Sequence, residues 1–298
     1  MITIRNYKED DLDPIQQMDF MLWLSIQWNQ SFHKEDIFTA EDDEAGVVGV
    51  TALSWDGTWY YLEKENPNVS CYRMQMEVAV LPGYDKENEV RDELILKQMQ
   101  HFIKYEKQYP GKNLRLRCWT MAEQKEEMQR LLKHGFIAFG ITPILAFDLT
   151  GELPAPKETG SVQIGIHNCD EEGIQAYLTA NEAGYDGIQD SEDEFRFRLN
   201  GEDVKVFTAK DQDRVVSSCT IWKIEEGHFA TENVFTIPDY RRRGIGQEML
   251  FTVLRYLKDA GAKKATLTVL GSNKTALALY QKMGYRLENV MHEMHYYV

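Results

Sequence analysis

Apolar residues recur at helical spacing between Ile245 and Leu257. Ile245, Met249, Leu250, Val253, Leu254 and Leu257 share one face, while Gln247, Glu248, Arg255, Lys258 and Asp259 fall on others. The pattern predicts an amphipathic helix that stops at Ala260-Gly261. Before it, His228–Ile237 reads as a strand; after it, the β-branched run Ala265–Leu270 reads as another, followed by a helix from Ser272 that ends at Gly284. Further upstream the alternation predicts a strand over Val162–His167, a helix over Glu171–Asn181, a helical stretch near Ser191–Leu199, and strands near Val204–Ala209 and Val215–Ile224. Asp211-Gln212-Asp213 and Glu225-Glu226-Gly227 supply the hairpin turns.

The segment that joins the strand to the amphipathic helix is basic and punctuated by glycine: Arg241-Arg242-Arg243-Gly244-Ile245-Gly246. Glycines let a backbone approach a ligand closely, a first helical turn presents unpaired N–H groups, and arginines add positive charge. The combination predicts a phosphate-binding turn. Arginine at a helix N-terminus opposes the macrodipole unless an anion sits there, which ranks this reading above a merely solvated turn. A Walker A loop would need Gly-Lys-Ser/Thr where Gly246-Gln247-Glu248 stands, and a dinucleotide fingerprint would need glycine at Met249.

The arrangement resembles the GNAT superfamily of acetyl-CoA-dependent N-acetyltransferases, whose pyrophosphate loop reads Arg/Gln-x-x-Gly-x-Gly/Ala. A second signature of that superfamily lies downstream, where Asn273, Ala276, Leu279-Tyr280 and Gly284-Tyr285 match an Asn, an Ala, a Leu-Tyr pair and a closing Gly-Phe/Tyr in order. The resemblance implies direct acetyl transfer from acetyl-CoA to an amine within a ternary complex, in a cleft between splayed fourth and fifth strands. It implies that Val234, Phe235 and Thr236 offer strand-edge backbone groups to the acetyl and pantetheine portions. Arg241, Arg242, Arg243, Gly244, Ile245, Gly246 and Gln247 would take the pyrophosphate, and Asn273 and Tyr280 would complete the cofactor contacts.

Two proton-transfer roles follow from the same resemblance. Tyr280 matches the tyrosine that protonates the departing thiolate; the competing reading is an aromatic that only packs a helix face. Glu232 is the general-base candidate, placed by simple alternation on the face of Val234 and Thr236, against the alternative of an exposed strand glutamate. His228, on the same strand, is the fallback base. Asn273 caps its helix whatever else it contacts. A CoA-binding regulatory or scaffold protein without turnover is the rival function, and transfer of a longer acyl group a third.

The first half repeats the pattern in worn form. Val78-Ala79-Val80-Leu81-Pro82-Gly83-Tyr84 parallels Val234-Phe235-Thr236-Ile237-Pro238-Asp239-Tyr240, and Gly135-Phe136 parallels Gly284-Tyr285. Between these landmarks stands Asp85-Lys86-Glu87-Asn88-Glu89-Val90, without glycine and with three carboxylates that repel a pyrophosphate. Gln124 and Leu131 hold the places of Asn273 and Tyr280. The expected fold is therefore α/β (α+β): two GNAT-like domains, each a mixed, mostly antiparallel sheet flanked by helices. The expected division is a degenerate domain over 1–150, a linker over 151–161 rich in proline and glycine, and an active domain over 162–298.

The 298 residues with 43% hydrophobic content are enough for two packed cores, and the formal net charge of −15 excludes a protein that binds nucleic acid through basic surface. No apolar run is long enough for a membrane span and Met1–Arg5 reads as a first strand, so a cytoplasmic protein is expected. Cys71, Cys118, Cys169 and Cys219 lack paired spacing and read as reduced thiols. His292-Glu293-Met294-His295 lacks helical zinc spacing, so no metal is expected. Trp59-Tyr60-Tyr61 and the Trp23/Trp28 pair read as core or interface aromatics. The acidic run of Asp186, Asp190, Glu192, Asp193 and Glu194 leaves room for a cationic amine, whether a small molecule or a peptide or protein amine.

Overall fold

The computed structural model describes residues 1–28, 32–55, 71–111, 113–153, 160, 162–185 and 191–298. Of the sequence expectations, Trp59-Tyr60-Tyr61, Asp186, Asp190, most of the linker and the side chains of Trp28 and Cys71 lie outside the described residues. The chain divides into two compact units, one made of Met1–Phe139 with His292–Val298, the other of Gly140–Met291.

The first unit contains β1 (Ile2–Asn6), α1 (Leu12–Met18), α2 (Phe20–Trp28), β2 (Phe32–Asp42), β3 (Gly46–Trp55), β4 (Cys71–Val80), α3 (Glu87–Phe102), α4 (Tyr105–Gln108), β5 (Asn113–Met121), α5 (Lys125–Lys133) and the start of β6 (Ile137–Asp148). Strands β1 to β4 pair antiparallel in sequence order, and β4 pairs with β5 in parallel. Strict alternation along β5, buried at Leu114, Leu116, Cys118 and Thr120, turns one face onto a core closed by Ile95, Met99 and Phe102 of α3.

The second unit repeats that order without a counterpart of α4, with β7 (Gln163–Ile166), α6 (Glu171–Gly184), α7 (Glu192–Leu199), β8 (Lys205–Asp211), β9 (Arg214–Glu225), β10 (His228–Thr236), α8 (Ile245–Asp259), β11 (Lys264–Thr268), α9 (Lys274–Met283) and the start of β12 (Arg286–Tyr297). Antiparallel pairs β7–β8, β8–β9 and β9–β10 are followed by the parallel pair β10–β11. The helices start where the sequence supplies caps: Asp170 accepts the Gly173 N–H and Ser191 the Glu194 N–H. All six apolar positions that define the face of α8 are buried at 1% exposure or less.

Each unit takes its last strand from the far half of the sequence. Residues from Gly140 through β6 belong to the second unit, where β6 pairs antiparallel with β11 from Lys264↔Asp148 to Thr268↔Ile144 and puts Leu145, Phe147 and Leu149 into the core. Residues from His292 onward belong to the first unit, and Met294 and Tyr296 join its core.

Candidate active site

The site is built around the separation of β10 from β11. Their parallel ladder holds only from His228↔Lys264 to Ala230↔Thr266, with the Thr231 hydroxyl donating to the Thr266 carbonyl at 3.1 Å as the last tie. Beyond it the β10 edge facing β11 has no ladder partner among the described residues, which leaves backbone groups available to a ligand.

Just past this point β10 carries a bulge. Glu232 faces Thr220 of β9 and Phe235 faces Ser218, so three steps on β10 match two on β9. Asn233, with φ 48°, takes the left-handed conformation that the bulge requires. The extra residue corrects the simple alternation: Glu232 shares its face with Phe235 rather than with Thr236. That face packs against α6, where the Phe235 ring lies 5.9 Å from Tyr177 and 5.7 Å from Tyr185. The other face carries Cys219, Thr236 and Thr231 and lies against α8 and α9. Glu232 and Tyr280 thus stand on opposite faces of the sheet, either side of the opening.

The turn expected to bind phosphate follows β10 after a single 3-10 turn at Pro238–Tyr240. Gly244, the N-cap of α8, has φ 87°, a conformation that L-residues rarely adopt. Gly246 lies over Thr236, whose Oγ1 would be 3.3 Å from a Cβ placed there. No backbone carbonyl among the described residues accepts from the N–H groups of Arg242 through Gln247, which leaves a run of donors at the positive end of α8. Ile245 is buried and pins the turn to the core.

The three arginines do different things. Arg241 Nε donates to the Thr236 carbonyl at 2.9 Å and its Nη2 to the Gly184 carbonyl at 2.7 Å, joining the end of β10 to the end of α6. Arg243 stacks on the Tyr240 ring, 4.7 Å from its centroid, and Tyr240 in turn donates to Asp211 at 2.6 Å. Arg242 is exposed, with φ 63°. Arg241→Ala is expected to destabilise the unit by about 2 kcal/mol, the range for charged hydrogen bonds of this kind, with a lowered Tm as the measurement. An unchanged Tm would show that the clamp is not structural.

The remaining candidates take up distinct positions. Tyr280 is 6% exposed, with its ring 5.6 Å from that of Tyr285. Burial and then the nearby Cys219 thiol raise its pKa well above the ordinary phenol value, so it keeps its proton at neutral pH. Asn273 caps α9 by accepting the Ala276 N–H at 3.1 Å. Val234 is half-buried beside the bulge, and the Phe235 carbonyl accepts the Ser217 hydroxyl at 2.5 Å. His228 has both ring nitrogens engaged, with Thr266 Oγ1 at 2.9 Å and Glu225 at 3.3 Å, and it stands on the paired part of the ladder. Glu232, half-buried at the bulge, is the better placed of the two base candidates.

The corresponding place in the first unit is closed. The β4–β5 ladder also stops, at Gln75↔Arg117, but Arg91 of α3 donates to the Val78 carbonyl at 3.3 Å and pairs with Glu87 at 3.1 Å and Glu127 of α5 at 3.8 Å. Arg130 of α5 bonds the Asn88 carbonyl and side chain and pairs with Asp92 at 3.1 Å. These ties fasten α3 to α5 where the second unit has its open turn.

Residues 173–285 match the Acetyltransferase (GNAT) family. The matched stretch runs from α6 to the residue before β12 and contains the unpaired end of β10 and the glycine-bearing turn. A curated relative, "Uncharacterized N-acetyltransferase YdgE" from Bacillus subtilis (strain 168), is 39% identical over 51 residues, which make up 17% of this chain and 32% of that protein. The match thus spans about a third of the relative's length. A GCN5-related N-acetyltransferase from Sphaerobacter thermophilus superposes with a TM-score of 0.69 at 13% identity, over 99% of this chain and 95% of that one. A tandem GNAT protein from the clavulanic acid biosynthesis pathway does so with a TM-score of 0.66 at 10% identity, over 100% and 98%. At these identities the two structures share the fold.

Among the described residues no group of three or more His, Cys, Asp or Glu is placed to hold a metal ion. Glu293 is bonded to His295 at 2.8 Å and to Arg73 at 3.1 Å within the first unit. Cys118, Cys169 and Cys219 are free thiols. No helix among the described residues is long and apolar enough to cross a membrane.

Proposed function

We propose that the chain is an acetyl-CoA-dependent N-acetyltransferase with one working site, in the second unit, and that the first unit is a degenerate copy of the same fold. The observation that carries this reading is the coincidence, at one end of β10, of an unpaired strand edge and an unpaired N–H turn. An extended pantetheine arm needs backbone partners along its length, and a pyrophosphate needs a cluster of N–H donors at its end. Fitted this way, the thioester reaches the bulge.

The acceptor amine then approaches from the face of Glu232, which removes a proton from it, while Tyr280 on the opposite face gives a proton to the departing sulfur. Transfer is direct: the nitrogen forms its bond to the carbonyl carbon and the carbon–sulfur bond breaks, with both reactants held together. The acceptor is an amine, of a small molecule or of a peptide or protein.

Titration calorimetry with acetyl-CoA, joined to a thiol-release screen across amines, tests the reading. One site per chain is expected, because Arg91, Arg130 and their partners occupy the first unit's opening. Two sites would remove the degenerate-copy argument. Absence of thiol release with every amine, despite tight binding, would leave a CoA-binding protein without turnover.

A further inference from the structure

The bulge that separates Glu232 from Phe235 requires a residue in the left-handed region, and glycine satisfies that requirement without adding a side chain. This chain uses Asn233, which tolerates the conformation and brings a primary amide to the one place where β10 is unpaired toward β11 and distorted toward β9. By register, Cys219 alone stands opposite both Asn233 and Val234, and Cys219 lies beside Tyr280.

The Asn233 Nδ2 is buried and has no hydrogen-bond partner among the described residues. Buried polar groups are normally satisfied, so an orphaned amide at a backbone irregularity points to a polar ligand that completes it. A primary amide N–H is a donor, and its natural partner is a carbonyl oxygen.

We propose that the side-chain amide of Asn233 is a catalytic residue that donates a hydrogen bond to the acyl carbonyl oxygen of the thioester. The inference rests on acetyl-CoA lying along β10 as described above. When the acceptor nitrogen bonds to the carbonyl carbon, the π electron pair moves onto that oxygen, and a donor already in place stabilises the charge. The pair returns as the carbon–sulfur bond breaks, the thiolate leaves with the bonding electrons, and it takes a proton.

Two variants separate the amide from the backbone it sits on. Asn233→Gly keeps the left-handed conformation and deletes the donor; Asn233→Asp keeps the shape and replaces the donor with an acceptor. The first measurement is binding: calorimetric affinities for acetyl-CoA and for S-ethyl-CoA, a thioether without a carbonyl. The native protein should prefer acetyl-CoA by roughly fivefold to tenfold, the worth of one net hydrogen bond, and both variants should lose that preference while binding S-ethyl-CoA unchanged. The second is turnover, which should fall on the order of 10²-fold in both, as when one oxyanion donor is removed.

A preference for acetyl-CoA retained in Asn233→Gly, or turnover within threefold of native, overturns the proposal. Should circular dichroism show Asn233→Gly to be unfolded, Asn233→Asp decides by the same criteria. A native protein that binds neither ligand removes the acetyl-CoA reading and this inference with it; a native protein that binds both, with variants unchanged, removes the inference alone.

Discussion

Replacing Gly244 with valine is expected to weaken acetyl-CoA binding by at least about 100-fold while leaving the fold largely intact. Gly244 has φ 87°, where a β-branched L-residue is strained by about 1–2 kcal/mol. The exposed turn can relieve that strain by changing its backbone angles, since Arg241 to Gly244 are all exposed. Such a change re-aims the N–H groups of the turn and of the first residues of α8. A pyrophosphate held by several converging donors loses most of them together, so the effect on binding exceeds the effect on stability. Valine at Gly246 acts differently: its Cβ meets Thr236 Oγ1 at 3.3 Å and its methyls fill the approach to the strand edge. The double substitution should abolish binding measured by calorimetry. Charge alone should matter less, so Arg242→Ala with Arg243→Ala should give a smaller loss, which added salt reproduces in the native protein. Undiminished affinity in Gly244→Val would place the pyrophosphate somewhere else.

The parts of this site that rest on local sequence were legible before the structure was known. The apolar stripe of α8 is a matter of helical spacing, and its six positions are buried. Asn273 caps α9 and Asp170 caps α6 because those side chains accept from nearby N–H groups. Boundaries were less certain: α6 continues to Gly184, three residues past the predicted end, since nothing in Glu182-Ala183 breaks a helix. Long-range pairing was not legible. The sequence contains no sign that β6 completes the second unit or that the end of β12 joins the first, because a strand's pattern shows which face is apolar and not which strand it pairs with. Arg241 read as a phosphate ligand by motif, whereas its guanidinium reaches two carbonyls that lie 57 and 5 residues away in the chain.

The face of Glu232 was misread for a related reason. Alternation assumes an unbroken ladder, and one inserted residue reverses it. The signal was present in Asn233, a residue depleted in strands and tolerant of the left-handed region, set inside an otherwise β-branched and aromatic run. In the first unit the loss of glycines suggested a missing anion site; the ion pairs of Arg91 and Arg130 across α3 and α5 were visible only once both helices were in place.

Tyr280→Phe is expected to lower turnover by roughly 10²-fold while acetyl-CoA binds nearly as well, because the substitution removes a hydroxyl and keeps the ring. The ring is 6% exposed and packs on Tyr285, so its loss would confuse the test, which is why phenylalanine and not alanine is the informative change. Burial raises the Tyr280 pKa, so the phenol stays protonated across the neutral range and the native rate should not fall there through its ionisation. Glu232→Gln should act on the other limb. At low pH an unassisted amine is almost wholly protonated, so loss of the base depresses the rate most there, and the deficit should shrink as pH rises toward the amine's own pKa. The two substitutions bear on different protons, and the pH profile of kcat/KM for the acceptor separates them. Full activity of Tyr280→Phe at every pH would leave the thiolate to be protonated by solvent, and an undiminished, pH-independent rate in Glu232→Gln would mean that the amine reaches the site already deprotonated.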